Sequence, residues 1–302
     1  MAEEHNGGKK FNKDNKINGL FGKRRFQVNK SYQIKMNEEK VYFVIPAYNE
    51  EENLDFLITN IDKFMHFLGY DYHIFLVNDG STDNTATVAQ NYKNDGIPLT
   101  LLNHKKNYGP GRAFKTGFEA VLNVASDNDI IVTIEADNTS DLCVLNRMLE
   151  QCKRGNDLVL ASVYGEGAVV GAPLHRKIFS RCCNIILQII FRIKGVNTFT
   201  SFFRVYRASM LKEAMDIYKD KLIEESGFIC MLELLVKLHK LGYQITQVPM
   251  LLDFRIRVGN SKMKSIRNIK DTLRFIWRYL TNHEEIIIEP SDKMPERVEN
   301  KL

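Results

Sequence analysis

An α/β fold, with a mostly parallel sheet and helices on both faces, is predicted for this 302-residue chain by three observations. Short apolar, β-branched runs alternate with segments of helical periodicity between residues 41 and 163. The loops that follow these runs carry acidic, aromatic and glycine residues, at the edge of an open sheet where ligands sit. Hydrophobic residues make up 44% of the chain, enough to build one large core.

Val41 to Ile45 reads as the first strand. Glu50 to Leu68 follows as a helix, with Leu54, Leu57, Ile58, Ile61 and Phe64 at helical spacing, and His73 to Val77 is again strand-like. Asp83 opens a helix to Tyr92, capped by Asp83 or Thr82. Leu99 to Leu102 is a strand, Arg112 to Val124 a helix, Ile130 to Ile134 a strand, Asp141 to Cys152 a helix and Leu158 to Ala161 a strand. Beyond residue 163 the strict alternation lapses. A glycine-rich turn (Gly165, Gly167, Gly171, Pro173) leads into an amphipathic segment from His175 to Lys194.

The net charge of +5 is unevenly spread. Residues 1–40 form a basic arm, low in large apolar residues and expected to be disordered. A second basic stretch runs from Arg255 to Arg278, broken only by Asp271, and the tail 283–302 turns acidic around Pro290 and Pro295. The basic residues are not interleaved with aromatics, which argues against a nucleic-acid partner. Five cysteines, an odd number without paired CxxC spacing, exclude a disulfide framework and suit a reducing, cytosolic setting. The longest apolar stretch, Ile185 to Phe191 with Gln188 inside it, is far short of the ~20 residues a membrane span requires. A soluble or peripheral protein is expected.

Glu135-Ala136-Asp137-Asn138-Thr139 delivers two carboxylates to a strand end, where a hard divalent cation such as Mg²⁺ or Mn²⁺ finds oxygen ligands. Asn78-Asp79-Gly80-Ser81 reads either as a well-capped turn or as a site where Asp79 accepts hydrogen bonds from ribose hydroxyls or a base edge. Asn107 to Gly117, with Gly109, Pro110 and Gly111, reads either as a phosphate-cradling helix start or as plain helix initiation at Pro110. On the amphipathic segment, Ile178, Phe179, Ile185, Ile186, Ile189, Ile190 and Ile193 accompany Arg176, Lys177, Arg181, Arg192 and Lys194 without an acidic residue. Such a pattern fits a membrane surface and a core helix alike.

In this order, Val44-Ile45-Pro46-Ala47-Tyr48-Asn49-Glu50, Asn78-Asp79-Gly80-Ser81 and Glu135-Ala136-Asp137 resemble the nucleotide-binding strand and loop, the Asp-Asp-Gly-Ser turn and the Asp-x-Asp metal motif of family 2 glycosyltransferases of GT-A fold. Arg176 to Arg181, Thr200 to Tyr206 and Gly259 to Lys262 are similar to segments of the dolichol-phosphate mannose synthase-like branch. The resemblance runs from about Val41 to about Tyr279. Glu135 and Asn78 stand where the family has Asp, His104 where relatives often have Arg, and Thr139 where the branch often has Gln.

The resemblance implies a Rossmann-like GT-A mixed sheet, followed by C-terminal amphipathic and basic helices. Residues 41–163 would bind the nucleotide sugar and 164–282 the acceptor. Pro46, Tyr48, Glu50, Asp79, Gly109, Gly111, Glu135 and Asp137 would hold a GDP- or UDP-hexose, and Glu135 and Asp137 the metal. Arg176, Ser180, Arg204, Arg257 and Lys262 would hold a polyprenyl phosphate at the cytoplasmic face of a membrane, with Asp137 and Arg204 catalytic. Arg255 competes with Arg257 for its place. Inversion follows from attack on the opposite face, and an anionic phosphate acceptor needs no protein base. A sugar-hydroxyl acceptor would need one, at Glu224 or Glu225. A nucleotide-sugar-binding protein without catalysis is a third reading, suggested by Glu135 and Asn78.

Overall fold

A computed structural model describes residues 37–164, 166–171, 174–256, 258 and 265–281. The basic arm up to residue 36, the acidic tail, Arg257 and Lys262 lie outside the described residues. All described residues belong to one compact unit beginning at Met36.

The spine is a seven-stranded mixed sheet of order β3-β2-β1-β4-β7-β5-β8. Strands β1 (Val41–Ala47), β2 (Tyr72–Asn78), β3 (Leu99–Asn103) and β4 (Ile130–Thr133) are parallel neighbours, with Val41 opposite both Tyr72 and Ile130. β5 is Leu158–Ser162, and β8 (Ile245–Pro249) pairs with it in parallel at the far edge. Between β4 and β5 runs the antiparallel strand β7 (Arg204–Arg207). Residues on either side of 163 therefore share one sheet. A two-stranded parallel ribbon joins β6 (Ala168–Val170) to β9 (Leu251–Asp253).

Strand alternation sends successive side chains to opposite layers. Val41, Phe43 and Ile45 enter one core with the inner faces of α1 (Glu51–Leu68) and α4 (Leu145–Lys153), whereas Tyr42 and Val44 enter the other. That second core is filled by α3 (Pro110–Leu122), α6 (Ala208–Tyr218) and α7 (Cys230–Lys240). The sheet is thus covered on both faces, which is why its strands read as continuous apolar runs.

Local chemistry sets the helix ends. α1 carries Glu51 and Glu52 in its first turn, favoured by the helix dipole, and ends at Gly69 in the left-handed conformation. α2 (Thr85–Asn94) has Asn84, not Asp83 or Thr82, at its N-cap, and Asp83 Oδ1 accepts from the Thr85 amide at 3.0 Å in an Asx turn just before the helix. α3 begins earlier than its apolar pattern suggests because Pro110 supplies its first residue. The amphipathic segment forms α5 (Leu174–Phe191), and its apolar residues divide between two sides. Leu187 and Phe191 are buried, whereas Ile178, Ile185, Ile186 and Ile189 are exposed. Among the described residues no helix is long and apolar enough to cross a membrane. All five cysteines are unpaired, as their odd number and spacing imply.

Candidate functional site

The carboxyl ends of β1, β2 and β4, neighbours in the sheet, share the edge at which an open α/β sheet forms its ligand crevice, and the loops after β1 and β2 are stitched together. Asn49 adopts φ 53, a left-handed value that asparagine tolerates, and its amide donates to Ser81 Oγ at 2.9 Å. Its Oδ1 accepts from the Thr82 amide at 2.8 Å, and the Glu50 amide donates to Thr85 Oγ1 at 2.8 Å. Glu50 is buried, with Oε2 accepting from Asn53 Nδ2 at 2.7 Å. Pro46 and Tyr48 remain partly exposed at the mouth.

Asp79 is buried, and its oxygens are engaged within the chain. Oδ1 lies 2.6 Å from His104 Nδ1 and accepts from the Tyr108 amide at 3.0 Å, while Oδ2 accepts from the Gly109 amide at 2.8 Å. The Gly111 amide donates to Ser226 O at 2.9 Å. Gly109 and Gly111 were expected to cradle phosphate with their amides. Both amides serve protein acceptors here, which fixes the loop as a wall of the crevice. Asp79 holds this loop from the turn after β2.

The acidic loop follows β4. Asn138 takes φ 60, and Asp137 Oδ1 accepts from Thr139 at both the amide (3.1 Å) and Oγ1 (2.7 Å). Glu135 sits two residues past β4 and is partly exposed. Its Oε2 accepts from Ser140 Oγ at 2.9 Å and its Oε1 from the Phe202 amide at 3.3 Å. Burial, and then the neighbouring Asp137 carboxylate, push the Glu135 carboxyl up to about 7. The two carboxylates form an all-oxygen set suited to a hard divalent cation, whose charge would offset their repulsion. The donor set therefore fits Mg²⁺ or Mn²⁺. Among the described residues no third His, Cys, Asp or Glu joins them, so the remaining coordination positions would fall to other oxygens.

Arg204 does not reach the crevice. It is fully buried at the start of β7, donating from Nε to Ser201 O and from one Nη to Phe199 O, each at 2.8 Å. The guanidinium pins the 199–203 turn, whose Phe202 amide meets Glu135, while its other Nη is buried without a hydrogen-bond partner among the described residues. Ser180 lies on α5 with Oγ 2.7 Å from the Tyr164 hydroxyl. Arg176 lies on α5 too, but its side chain is outside the described residues, as are Arg257 and Lys262. Arg255 forms a two-pronged pair with Asp253, whose carboxyl it pulls down to about 2. Glu225 is buried between Arg274 (3.2 Å) and Arg278 (3.1 Å), so it is paired rather than poised as a base. Both arginines lie on α8 (Ser265–Thr281).

Two contributors escaped the sequence reading. Asn53, a buried amide on the apolar face of α1, exchanges hydrogen bonds with both backbone groups of Val258 and accepts on its carbonyl from Asn138 Nδ2. It ties the first loop, the acidic loop and the segment after β9 together. An asparagine inside an otherwise apolar helical stripe was the available signal. The second is His104, visible in sequence only as a departure from the arginine of relatives.

The domain description "Glycosyl transferase family 2" matches residues 42–215. The chain is 29% identical over 249 residues to a dolichol-phosphate mannosyltransferase of Pyrococcus furiosus, covering 82% of this chain and 65% of that protein. This chain thus spans just under two thirds of that relative's length. It is 26% identical over 237 residues to a polyprenol monophosphomannose synthase of Mycolicibacterium smegmatis, covering 78% of this chain and 84% of the relative. In fold it is similar to a Mycobacterium tuberculosis glucosyl-3-phosphoglycerate synthase solved with Mn²⁺, UDP and glucosyl-3-phosphoglycerate (TM-score 0.53, 16% identity, 84% of this chain and 82% of that one). With the family match spanning more than half its length and the acidic loop set at the crevice of a GT-A sheet, this chain belongs to the glycosyl transferase family 2.

Proposed function

We propose that this protein is an inverting, metal-dependent glycosyltransferase that moves a hexose from a nucleoside diphosphate sugar to a polyprenyl phosphate. The observation that carries the reading is the carboxylate pair Glu135 and Asp137 beyond β4, beside the Pro46–Glu50 loop, in a chain whose relatives are named as polyprenol- and dolichol-phosphate mannosyltransferases. Asp137, with Glu135, would hold Mg²⁺ or Mn²⁺, which when bound neutralises charge on the departing diphosphate. Tyr48 and Pro46, partly exposed at the mouth, would border the nucleotide. The acceptor phosphate, anionic near neutral pH, would attack from the opposite face without a protein base. Arg176, Ser180, Arg257 and Lys262 are its proposed partners.

The acceptor side is supported by two adjoining helices with exposed apolar faces. Phe191 of α5 packs edge-on against Tyr279 of α8, 4.7 Å between ring centroids. Next to this contact Ile185, Ile186 and Ile189 on α5, and Leu273, Trp277 and Leu280 on α8, face outward. Lys177, Arg181 and Arg192 are exposed on or next to α5. An apolar surface fringed by cations suits peripheral docking on anionic lipid, at the cytoplasmic face, where the acceptor headgroup lies. The pairing of Glu225 with Arg274 and Arg278 counts against the hydroxyl-acceptor alternative.

The test incubates the full chain with radiolabelled GDP-mannose or UDP-glucose, MnCl₂ and vesicles containing a polyprenyl phosphate. Labelled lipid that disappears with EDTA is the expected result. Transfer only to a soluble glycan would overturn the acceptor assignment. Nucleotide binding with no transfer to any acceptor would favour a non-catalytic binding protein.

A further inference from the structure

We infer that His104 is a positioning residue of the donor site, acting through Asp79 on the loop 104–109 that walls the crevice. The inference rests on the donor-site reading above. His104 and Asp79 side chains are 11% and 4% exposed, and their contact is 2.6 Å. Two of the groups that meet Asp79 are amides, which only donate, so its carboxylate is purely an acceptor and His104 Nδ1 carries the proton. The other ring nitrogen, Nε2, lies 3.0 Å from Thr116 Oγ1 on α3. With the Nδ1 proton directed to the acceptor-only Asp79, Thr116 donates to Nε2 of the neutral ring and holds its orientation. Thr116, His104 and Asp79 thus form a relay from α3 to the turn after β2.

What the relay holds is the wall itself. The His104 amide donates to Asn78 O at 2.9 Å, and the loop lies flush on the Gly80 turn. A Cβ at Gly80, where φ is 69, would come within 2.2 Å of the Lys106 carbonyl carbon. The same carboxylate fixes the Tyr108 and Gly109 amides. Tyr108 is 44% exposed, its ring edge-on to His104 at 5.5 Å and the Lys106 ammonium 5.4 Å from its centroid. An aromatic face and an ammonium on a rigid loop complement the base and phosphates of a nucleotide. Without the Nδ1 donor, Asp79 loses its side-chain partner, the amide clamp loosens, and these groups are no longer pre-set for the ligand.

Two substitutions separate this role from packing. His104→Asn keeps an amide N–H near the place of Nδ1, whereas His104→Gln places its amide near Nε2 and leaves Asp79 without that donor. With GDP-mannose and UDP-glucose as probes and MnCl₂ present, calorimetry on the full chain should give a Kd about tenfold weaker for His104→Gln, and within about twofold of wild type for His104→Asn. In turnover the loss should fall on the donor KM and not on kcat. Amide hydrogen exchange read at Tyr108 and Gly109 should speed up in His104→Gln alone. Equal Kd in all three proteins, or equal weakening in both variants, overturns the inference. A wild-type chain that binds neither nucleotide overturns the donor-site reading instead, and the exchange data still decide whether the relay exists.

Discussion

Replacing Lys237 by methionine should cost about 3–5 kcal/mol of folding stability near neutral pH, because it strands a buried carboxylate. Lys237 is 0% exposed and Glu233 1%, one turn apart on α7, with Nζ to Oε1 at 2.6 Å. The ammonium also donates to Lys221 O and reaches Glu224 Oε2 at 3.4 Å. Glu233 Oε2 in turn accepts from the Glu224 and Glu225 amides at 3.0 and 2.9 Å. The pair therefore organises the segment whose Ser226 carbonyl receives the Gly111 amide. Burial raises the Glu233 carboxyl, outweighing the pull of Lys237 in the other direction. A carboxyl raised on folding binds its proton more tightly in the native state, so its favourable contribution is present at low pH and lost as pH rises through the folded value. Lys237→Met removes the opposing pull and raises that value further, so the deficit should grow as the pH rises above the ordinary carboxylate range. Urea denaturation at constant ionic strength reads both effects, and Lys237→Met combined with Glu233→Leu should recover most of the loss. A cost below about 1 kcal/mol near neutral pH, or one independent of pH, would refute the reasoning.

Asp137→Asn should lower kcat at least about a hundredfold and abolish any Mn²⁺ dependence of nucleotide binding, measured by turnover and calorimetry. Gly111→Ala places a Cβ 1.9 Å from the Glu225 carbonyl oxygen, a backbone atom that cannot swing aside. It should destabilise by about 1–3 kcal/mol in urea and displace the 225–226 segment. Burial raises the Cys152 thiol to about 11 and also raises that of Cys230. Iodoacetamide followed by mass spectrometry should therefore label exposed Cys182 in the native protein, and these two only after unfolding.

The alternating strands and helices up to Ser162 were legible because each is encoded by short-range periodicity: Leu54, Leu57, Ile58 and Ile61 do face the core together. The positions of Glu135, Asp137 and Tyr48 were legible too, since a residue just past a parallel strand is carried to the ligand edge whatever its neighbours are. β7 was not. Its insertion between β4 and β5 reverses strand direction, and nothing local in Arg204-Val205-Tyr206-Arg207 encodes which strands it will join. The burial of Arg204 was hidden for the same reason, because an arginine near a motif looks alike whether it faces solvent or lies under a turn.

By itself, then, the sequence determined the layered α/β class, the family and the loops that border the crevice, all properties set by spacing and residue type. Only the tertiary structure decided which polar groups remain available to a ligand. Asp79, Gly109, Gly111 and Glu225 each have the chemistry to bind one, and each is also turned to a partner inside the chain. A hydrogen-bonding group is committed by the partner that folding brings within about 3 Å, and that partner lies here as far away in sequence as Asp79 from Gly109 or Glu225 from Arg278.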